Sequence, residues 1–214
     1  MTSLALLQLV SPALPVGAFS YSEGLEVLIQ AGSIADEQAI QAWLEAELQR
    51  GAVRLEAAAL RPLAEALVGW STQADAAAKG RLIDLDGWLL ATREAAELRA
   101  QQRQMGMSLL QLMSDIGHDL PEPVALSWPA AWAWAALGMS VSGGDMVEGV
   151  PLRLGCQSAQ CLGAAAAVGS LPSAGAATAA AAADCLPSTA APGGRSPAAL
   201  EQRCGCGHGA ACPC

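Results

Sequence analysis

The sequence predicts an all-α protein, a single helical domain followed by a tail of different composition. Alanine supplies much of the 53% hydrophobic content, and only 4% of the residues are aromatic, which favours helices over strands. Apolar residues recur at helical spacing through the first 149 residues. A chain of 214 residues is long enough for one such domain with a sizeable core, or for a domain and a tail.

The first element is a short helical run containing Leu4 and Leu7. It is predicted to end near Ser11, because Pro12 disfavours α geometry in the residue before it. Residues 12–26 then combine proline, glycine and hydroxyl side chains with the only Phe and the only Tyr of the chain. This composition predicts a structured loop that leads into a helix.

Two helices are expected after this loop. Ser22 can cap a helix from Glu23 to Ala31, and Gly32 stands where a left-handed residue commonly ends a helix. Asp36 is the predicted N-cap of the next helix, whose apolar stripe is Ile40, Trp43, Leu44 and Leu48.

The central part of the chain predicts longer helices. A third helix carries Leu60, Leu63, Leu67 and Val68, and Pro62 suggests a start or a kink there. Residues 82–113 form one long helix or two helices joined near Gly106. A further helix spans about 123–137 and is rich in tryptophan; its many alanines and glycines favour a buried helix over a membrane span.

Charge and cysteine content exclude several classes of protein. Acidic residues number 20 against 11 basic ones, which gives a net charge of −9 and argues against nucleic-acid binding through phosphate neutralisation. All seven cysteines follow residue 155, so the first part has no disulfide framework. The apolar N-terminus has no basic lead-in and is interrupted by Pro12 and Pro15. We therefore expect a cytoplasmic protein with no membrane partner.

Motifs for catalysis are missing from the sequence. It contains no phosphate-binding glycine loop, no dinucleotide fingerprint and no His-Glu-x-x-His pair. The first 149 residues hold one histidine, His118, and no cysteine, so they cannot supply a thiol nucleophile or a soft-metal site. The sequence predicts a protein that is not an enzyme and binds no cofactor itself.

The loop over 12–26 is the sharpest local signal, and two interpretations of it stay open. In the first, Pro15 and Gly17 set the backbone angles while Phe19 and Tyr21 anchor the loop in the core. In the second, the loop is a preorganised partner surface that presents Glu26 as an exposed acid.

A second candidate surface is the polar run from Arg93 to Arg103. Arg93 and Glu97 are four residues apart, as are Arg99 and Arg103, so on one helix their charged groups share a face. This face is either a solvated helix surface or an interaction surface.

Residues 7–26 closely resemble the N-terminal signature of the UreF family of urease accessory proteins. The segments Thr92-Arg-Glu94 and Glu97-Leu-Arg99 also resemble that family, as does the tryptophan-rich helix ending in Leu137-Gly-Met139. The resemblance covers about residues 1–149. It makes the following residues candidates for partner binding: Pro15, Gly17, Phe19, Ser20, Tyr21, Gly24, Glu26, Arg93, Glu94, Glu97 and Arg99.

The resemblance implies an all-helical protein that dimerises within a complex. Such a protein bridges the accessory protein UreD (also called UreH) and the GTPase UreG, and the assembly docks on apo-urease for nickel insertion. Nickel and GTP would then be handled by the partners. Glu26 falls on the acid that closes the family signature, and the resemblance makes it a candidate for coupling to UreG. A generic helical interaction domain is an alternative.

Residues 150–214 differ in character from the rest. They contain no aromatic residue and five charged residues among 65, so the large side chains that fill a core are nearly missing. Codons compatible with residues 150–165, read one base later, can encode Tyr-Leu-Tyr-Ala-Trp and then Val-Arg-Leu, segments with which UreF proteins continue. Our hypothesis is a single extra base near the Gly149 codon, which sequencing of the coding DNA tests. The helical domain over 1–149 is then incomplete, and the Ala/Gly/Cys-rich tail is disordered or non-native.

The tail taken as written offers a different function. It holds a cluster of soft ligands that could bind one metal ion, as in a metal-binding chaperone: Cys204, Cys206, His208, Cys212 and Cys214. The glycine-rich spacing provides no scaffold for such a site, and a cysteine cluster is also what an out-of-frame sequence produces. Metal titration of the purified protein separates the two hypotheses.

Overall fold

A computed structural model describes residues 4–11, 13–16 and 24–167 of the chain. These residues form eight α-helices and no strand, which confirms the predicted all-α fold class. The helices are α1 (Leu4–Leu9), α2 (Leu25–Gln30), α3 (Glu37–Arg50), α4 (Ala52–Gln73), α5 (Ala76–Ala91), α6 (Ala96–Asp115), α7 (Trp128–Gly138) and α8 (Gly143–Ala167).

The tryptophan-rich helix α7 lies at the centre of the bundle. It contacts α1, α4, α5 and α6, and eight of its 11 residues are buried. Ser127 is its N-cap, and Pro129 stands in the first turn, where a missing backbone N–H costs no hydrogen bond. The prediction of a buried helix is confirmed, although the helix begins at Trp128 and not near 123. Among the described helices, none is long and apolar enough to cross a bilayer.

The N-terminal helices largely follow the prediction. α1 ends at Leu9, and Gly32 adopts the expected left-handed conformation with φ of 71°. α2 begins at Leu25, two residues later than predicted, and its N-cap is Gly24, so the prediction of Ser22 as the cap was wrong. Gly24 itself has φ of 88°, a conformation that glycine adopts without the steric cost of a side chain.

Helices α3 and α4 pack side by side. Asp36 caps α3 as predicted, because its side chain accepts a hydrogen bond of 2.8 Å from the backbone N–H of Ala39. α4 begins at Ala52, ten residues before Pro62, so of the two alternatives at this proline the helix start was wrong, and a kink stays a prediction. Of the predicted α4 stripe, Leu60, Leu63 and Leu67 are buried, whereas Val68 is 40% exposed.

The region predicted as one long helix, or two joined near Gly106, is divided elsewhere. α5 ends at Ala91 and α6 begins at Ala96, so the break falls at residues 92–95. Gly106 lies inside α6, where a Cβ atom would come within 2.2 Å of the Leu126 carbonyl oxygen. The glycine therefore permits a close backbone approach and does not end a helix.

The last helix, α8, runs through the predicted domain boundary at residue 149. It begins at Gly143, and beyond the boundary it buries Val150, Leu154 and Leu162 in the main hydrophobic core. α8 packs on α1, α2, α3 and α4. Residues 168–214, the remainder of the predicted tail, lie outside the described residues, and the hypothesis of an out-of-frame sequence stays a prediction.

Candidate functional site

A charged cluster is buried where α4, α8 and the connection between α5 and α6 meet. The Glu56 carboxylate on α4 accepts a hydrogen bond of 2.9 Å from Arg153 on α8, and its other oxygen accepts one from Arg93. Glu56 is 4% exposed, Arg153 5% and Arg93 9%. Because three charged groups are withdrawn from water together, each depends on its partners for compensation of the desolvation cost.

The cluster is extended by neighbouring groups on α7 and α8. The Arg153 guanidinium lies 5.7 Å from the centre of the Trp128 ring, within the range of a cation–π interaction. Arg153 also donates a hydrogen bond of 3.4 Å to the Gln157 side chain one turn later. These contacts tie α8 to α7 as well as to α4.

A second buried acid holds the N-terminus of α7. Asp86 on α5 accepts hydrogen bonds from both the backbone N–H and the hydroxyl of Ser127, the N-cap of α7. Burial raises the pKa of the Asp86 carboxyl, and the hydrogen bonds from Ser127 oppose that rise. Asp86 therefore links α5 to the central helix through a group whose charge is partly disfavoured by its surroundings.

The predicted residues 93–99 divide into buried and exposed members. Arg93 precedes α6 and is buried against Glu56, so the expectation that it shares a helix surface with Glu97 was wrong. Glu94 and Glu97 are exposed. Arg99 is half-buried and donates hydrogen bonds to the carbonyl oxygens of Arg93, at 2.6 Å, and Glu94, at 3.2 Å. Residues 93 and 99 thus hold the connection in place, while the two glutamates face solvent.

Part of the predicted N-terminal surface lies within the described residues. Pro15, Gly24 and Glu26 are exposed. Glu26 is on α2, which packs on α8 near Cys161. Burial raises the pKa of the Cys161 thiol to about 11, and the negative charge of Glu26 adds to the rise. The remaining predicted residues of this surface lie outside the described part of the chain: Gly17, Phe19, Ser20 and Tyr21.

Helix α8 connects the two predicted surfaces. Its Arg153 donates a hydrogen bond to Glu56, which also accepts one from Arg93, the first residue of the segment 93–99. Its Cys161 lies near Glu26. Eight residues separate these positions, which is about 12 Å along a helix at 1.5 Å per residue. Helix α8 therefore contacts the supports of both predicted segments, but the exposed acids of the two segments lie apart and do not line one pocket.

The charged cluster was not predicted as a site, although the sequence contains a signal for it. Glu56 interrupts the apolar stripe of α4, one turn after Val53 and one turn before Leu60. An acid in such a stripe needs a buried partner. The partner Arg153 lies 97 residues away in the segment predicted as a tail, so no local pattern identifies the pair.

The predicted metal ligands Cys204, Cys206, His208, Cys212 and Cys214 all lie outside the described residues, so that alternative stays a prediction. Within the described part, Cys156 and Cys161 are free thiols, and burial raises the pKa of both. The described residues contain no group of three or more histidine, cysteine, aspartate or glutamate side chains arranged to hold a metal ion.

Comparison with known proteins gives the family of the chain. Residues 34–152, more than half of it, match the sequence model of the UreF family. The chain belongs to the UreF family. It is 47% identical over 149 residues to the urease accessory protein UreF of Methylibium petroleiphilum, a match that covers 66% of this chain and 60% of that protein. These findings confirm the resemblance carried by the residues quoted above.

Two further UreF relatives show how much of the family's length is represented. The UreF protein of Microcystis aeruginosa is 40% identical to this chain over 182 residues, a match that covers 79% of each of the two chains. The UreF protein of Trichormus variabilis is 47% identical over 117 residues, a match that covers 55% of this chain and 48% of the Trichormus protein. The chain therefore spans about half to four fifths of these UreF proteins. A share of 79% of 214 residues is about 169 residues, so the Microcystis match reaches beyond residue 149.

Proposed function

We propose that this chain acts in the maturation of urease, as a non-catalytic helper in nickel insertion that bridges UreD (UreH) and the GTPase UreG on apo-urease. The match of residues 34–152 to the UreF family, together with relatives named urease accessory protein UreF, carries the proposal. In this role the chain works in the cytoplasm, pairs with a second copy within the complex and binds no cofactor. Nickel and GTP are handled by its partners.

The contact with UreG is assigned to the outer face of α2. On this helix Leu25 and Ile29 are buried in the core, while Glu26 is exposed and Val27 is 67% exposed. An acid beside an exposed apolar side chain offers a partner both a charge to pair with and a surface to bury, the combination found at interface centres and rims. The packing of α2 on α8 holds this face in position.

The connection that carries Glu94 supports a second contact, assigned to UreD. The exposed Glu94 of this connection is held by the hydrogen bonds of Arg99 and by the burial of Arg93, and the exposed Glu97 follows it in the first turn of α6. Because a preordered segment loses little conformational entropy on binding, such a surface suits recognition. Glu56 joins the connection to α8 at Arg153, whereas α2 approaches α8 near Cys161, eight residues further along. This separation of the two contacts suits a bridging protein.

A pull-down experiment tests the proposal. The tagged full chain is co-expressed with UreD, UreG and apo-urease of Methylibium petroleiphilum and recovered by its tag. UreD and UreG are expected to co-purify with it. The variant Glu26→Ala is expected to bind UreG about tenfold more weakly, equivalent to about 1.4 kcal/mol, and to retain UreD.

The matched control is Glu65→Ala, an exposed glutamate on α4 that no part of the proposal uses. Equal recovery of UreG with the Glu26 and Glu65 variants would show that α2 is not the UreG contact. A wild-type chain that recovers neither UreD nor UreG would overturn the bridging role itself.

A further inference from the structure

A small cavity lies beside the buried charged cluster. Its volume is about 10 Å³, and its lining includes Glu56, Thr92, Arg93, Gln102 and Ser127. A cavity of roughly 10–15 Å³ can hold one water molecule, which needs two to four polar partners. The cavity thus has room for one water and a polar lining to hold it.

Gln102, which lines the cavity, carries a buried hydrogen-bond acceptor without a partner. This side chain on α6 is 4% exposed, and its Oε1 atom has no hydrogen-bond donor among the protein groups around it. Leaving a buried carbonyl oxygen without a donor costs about 1–3 kcal/mol. Native proteins satisfy nearly all such atoms, commonly with an internal water.

The geometry points to a structural water molecule bound in this cavity, donating a hydrogen bond to Gln102 Oε1. Its other partners come from the same lining, where the Glu56 carboxylate accepts hydrogen bonds and the Arg93 guanidinium donates them. The water thereby satisfies Gln102 and joins α6 to the cluster that already ties α4 to α8. This site is independent of the proposed role in urease maturation.

The consequence of the site concerns the connection between α5 and α6. Both Thr92 and Arg93 line the cavity, and Arg93 begins the segment that exposes Glu94. A water shared by Gln102 and this segment fixes the segment against α6 from inside, as Arg99 does from outside. Gln102 is accordingly a positioning residue for the connection.

A crystal structure of the full chain at a resolution that shows ordered water tests the proposal directly. We expect a water peak within about 2.7–3.2 Å of Gln102 Oε1. In Gln102→Leu the peak should be lost, and in the control Gln104→Leu, an exposed position on the same helix, it should remain. A dry cavity, or a protein donor bonded to Gln102 Oε1, would overturn the proposal.

A solution measurement keeps the test decisive if the leucine variant does not fold. Wild-type protein should show a rotating-frame Overhauser cross-peak between water and the side-chain amide protons of Gln102, assigned through their through-bond correlation to the Gln102 backbone amide. Such a cross-peak supports a long-lived internal water. Its complete absence for an assigned, protected Gln102 amide contradicts one.

Discussion

Replacing Glu56 with alanine is expected to destabilise the fold more than any other single truncation of the charged cluster. The substitution leaves Arg93 and Arg153 buried at 9% and 5% exposure without their shared carboxylate. Removing one partner of a buried ion pair costs about 3–5 kcal/mol. Since whole domains are stable by only about 5–15 kcal/mol, this loss is a large fraction of the total.

The variant Arg153→Met separates the charge effect from the loss of contacts. It leaves Glu56 paired with Arg93, so no buried charge is orphaned, and it fills much of the arginine volume. We expect a smaller loss of about 2 kcal/mol, the value of one hydrogen bond to a charged group. The order of the two variants follows from which of them leaves an uncompensated charge.

Urea unfolding followed by circular dichroism measures both losses. With a dependence of about 1–3 kcal/mol per molar urea, a loss of about 4 kcal/mol lowers the midpoint by about 2 M at mid-range. Glu65→Ala, an exposed acid on the same helix, should change the free energy of unfolding by less than about 0.5 kcal/mol. The reasoning fails if Glu56→Ala matches this control, or if Arg153→Met costs more than Glu56→Ala.

Two further predictions use the same unfolding measurement. Gly106→Ala should destabilise the folded protein by about 1–3 kcal/mol, because the added Cβ would meet the backbone of Leu126 and Ser127. The control Gly80→Ala has nothing within 4 Å of its Cβ and should stabilise α5 by about 0.5–1 kcal/mol. Equal effects of the two substitutions would contradict the close approach at Gly106. Burial raises the pKa of Asp86, so the folded state binds a proton on this carboxyl more tightly than the unfolded state does. The wild type should therefore gain stability relative to Asp86→Asn as the pH falls from 7 through the raised pKa towards 3.8. A stability difference between the two proteins that does not change with pH would contradict this expectation.

The helices that the sequence predicted best are those whose boundaries carry local chemistry. Asp36 and Gly32 mark helix ends through a side-chain hydrogen bond and a left-handed backbone, and both act within a few residues. The apolar stripe of α4 likewise predicted its core residues Leu60, Leu63 and Leu67. Such features depend on neighbours along the chain, so a sequence displays them.

The mistakes arose where contacts between distant residues decide the structure. Gly106 suggested a helix break, but α6 continues through it because the glycine accommodates the backbone at Leu126. Arg93 was assigned to a helix surface, but its attraction to Glu56, 37 residues earlier, places it inside. Neither packing against another segment nor pairing with a buried acid can be read from helical spacing alone.

The candidate site was predicted only in its exposed part. Glu26, Glu94 and Glu97 were singled out from the sequence and are at the surface. The buried groups that support them, Glu56 and Arg153, were not, because residue 153 belongs to a segment whose composition gave no indication of a core helix. Beyond residue 149, α8 nevertheless buries Val150, Leu154 and Leu162 in the hydrophobic core.

The dependence of the N-terminus on the end of the described fold has a consequence for synthesis on the ribosome. α1 packs on α7 and α8, and α2 packs on α8. The Trp132 indole donates a hydrogen bond of 3.5 Å to the Leu9 carbonyl oxygen, 123 residues earlier. At about 5–20 residues per second, the first helices emerge many seconds before their packing partners. α1 and α2 thus leave the ribosome well before the helices that stabilise them, and chaperones have that interval in which to bind them.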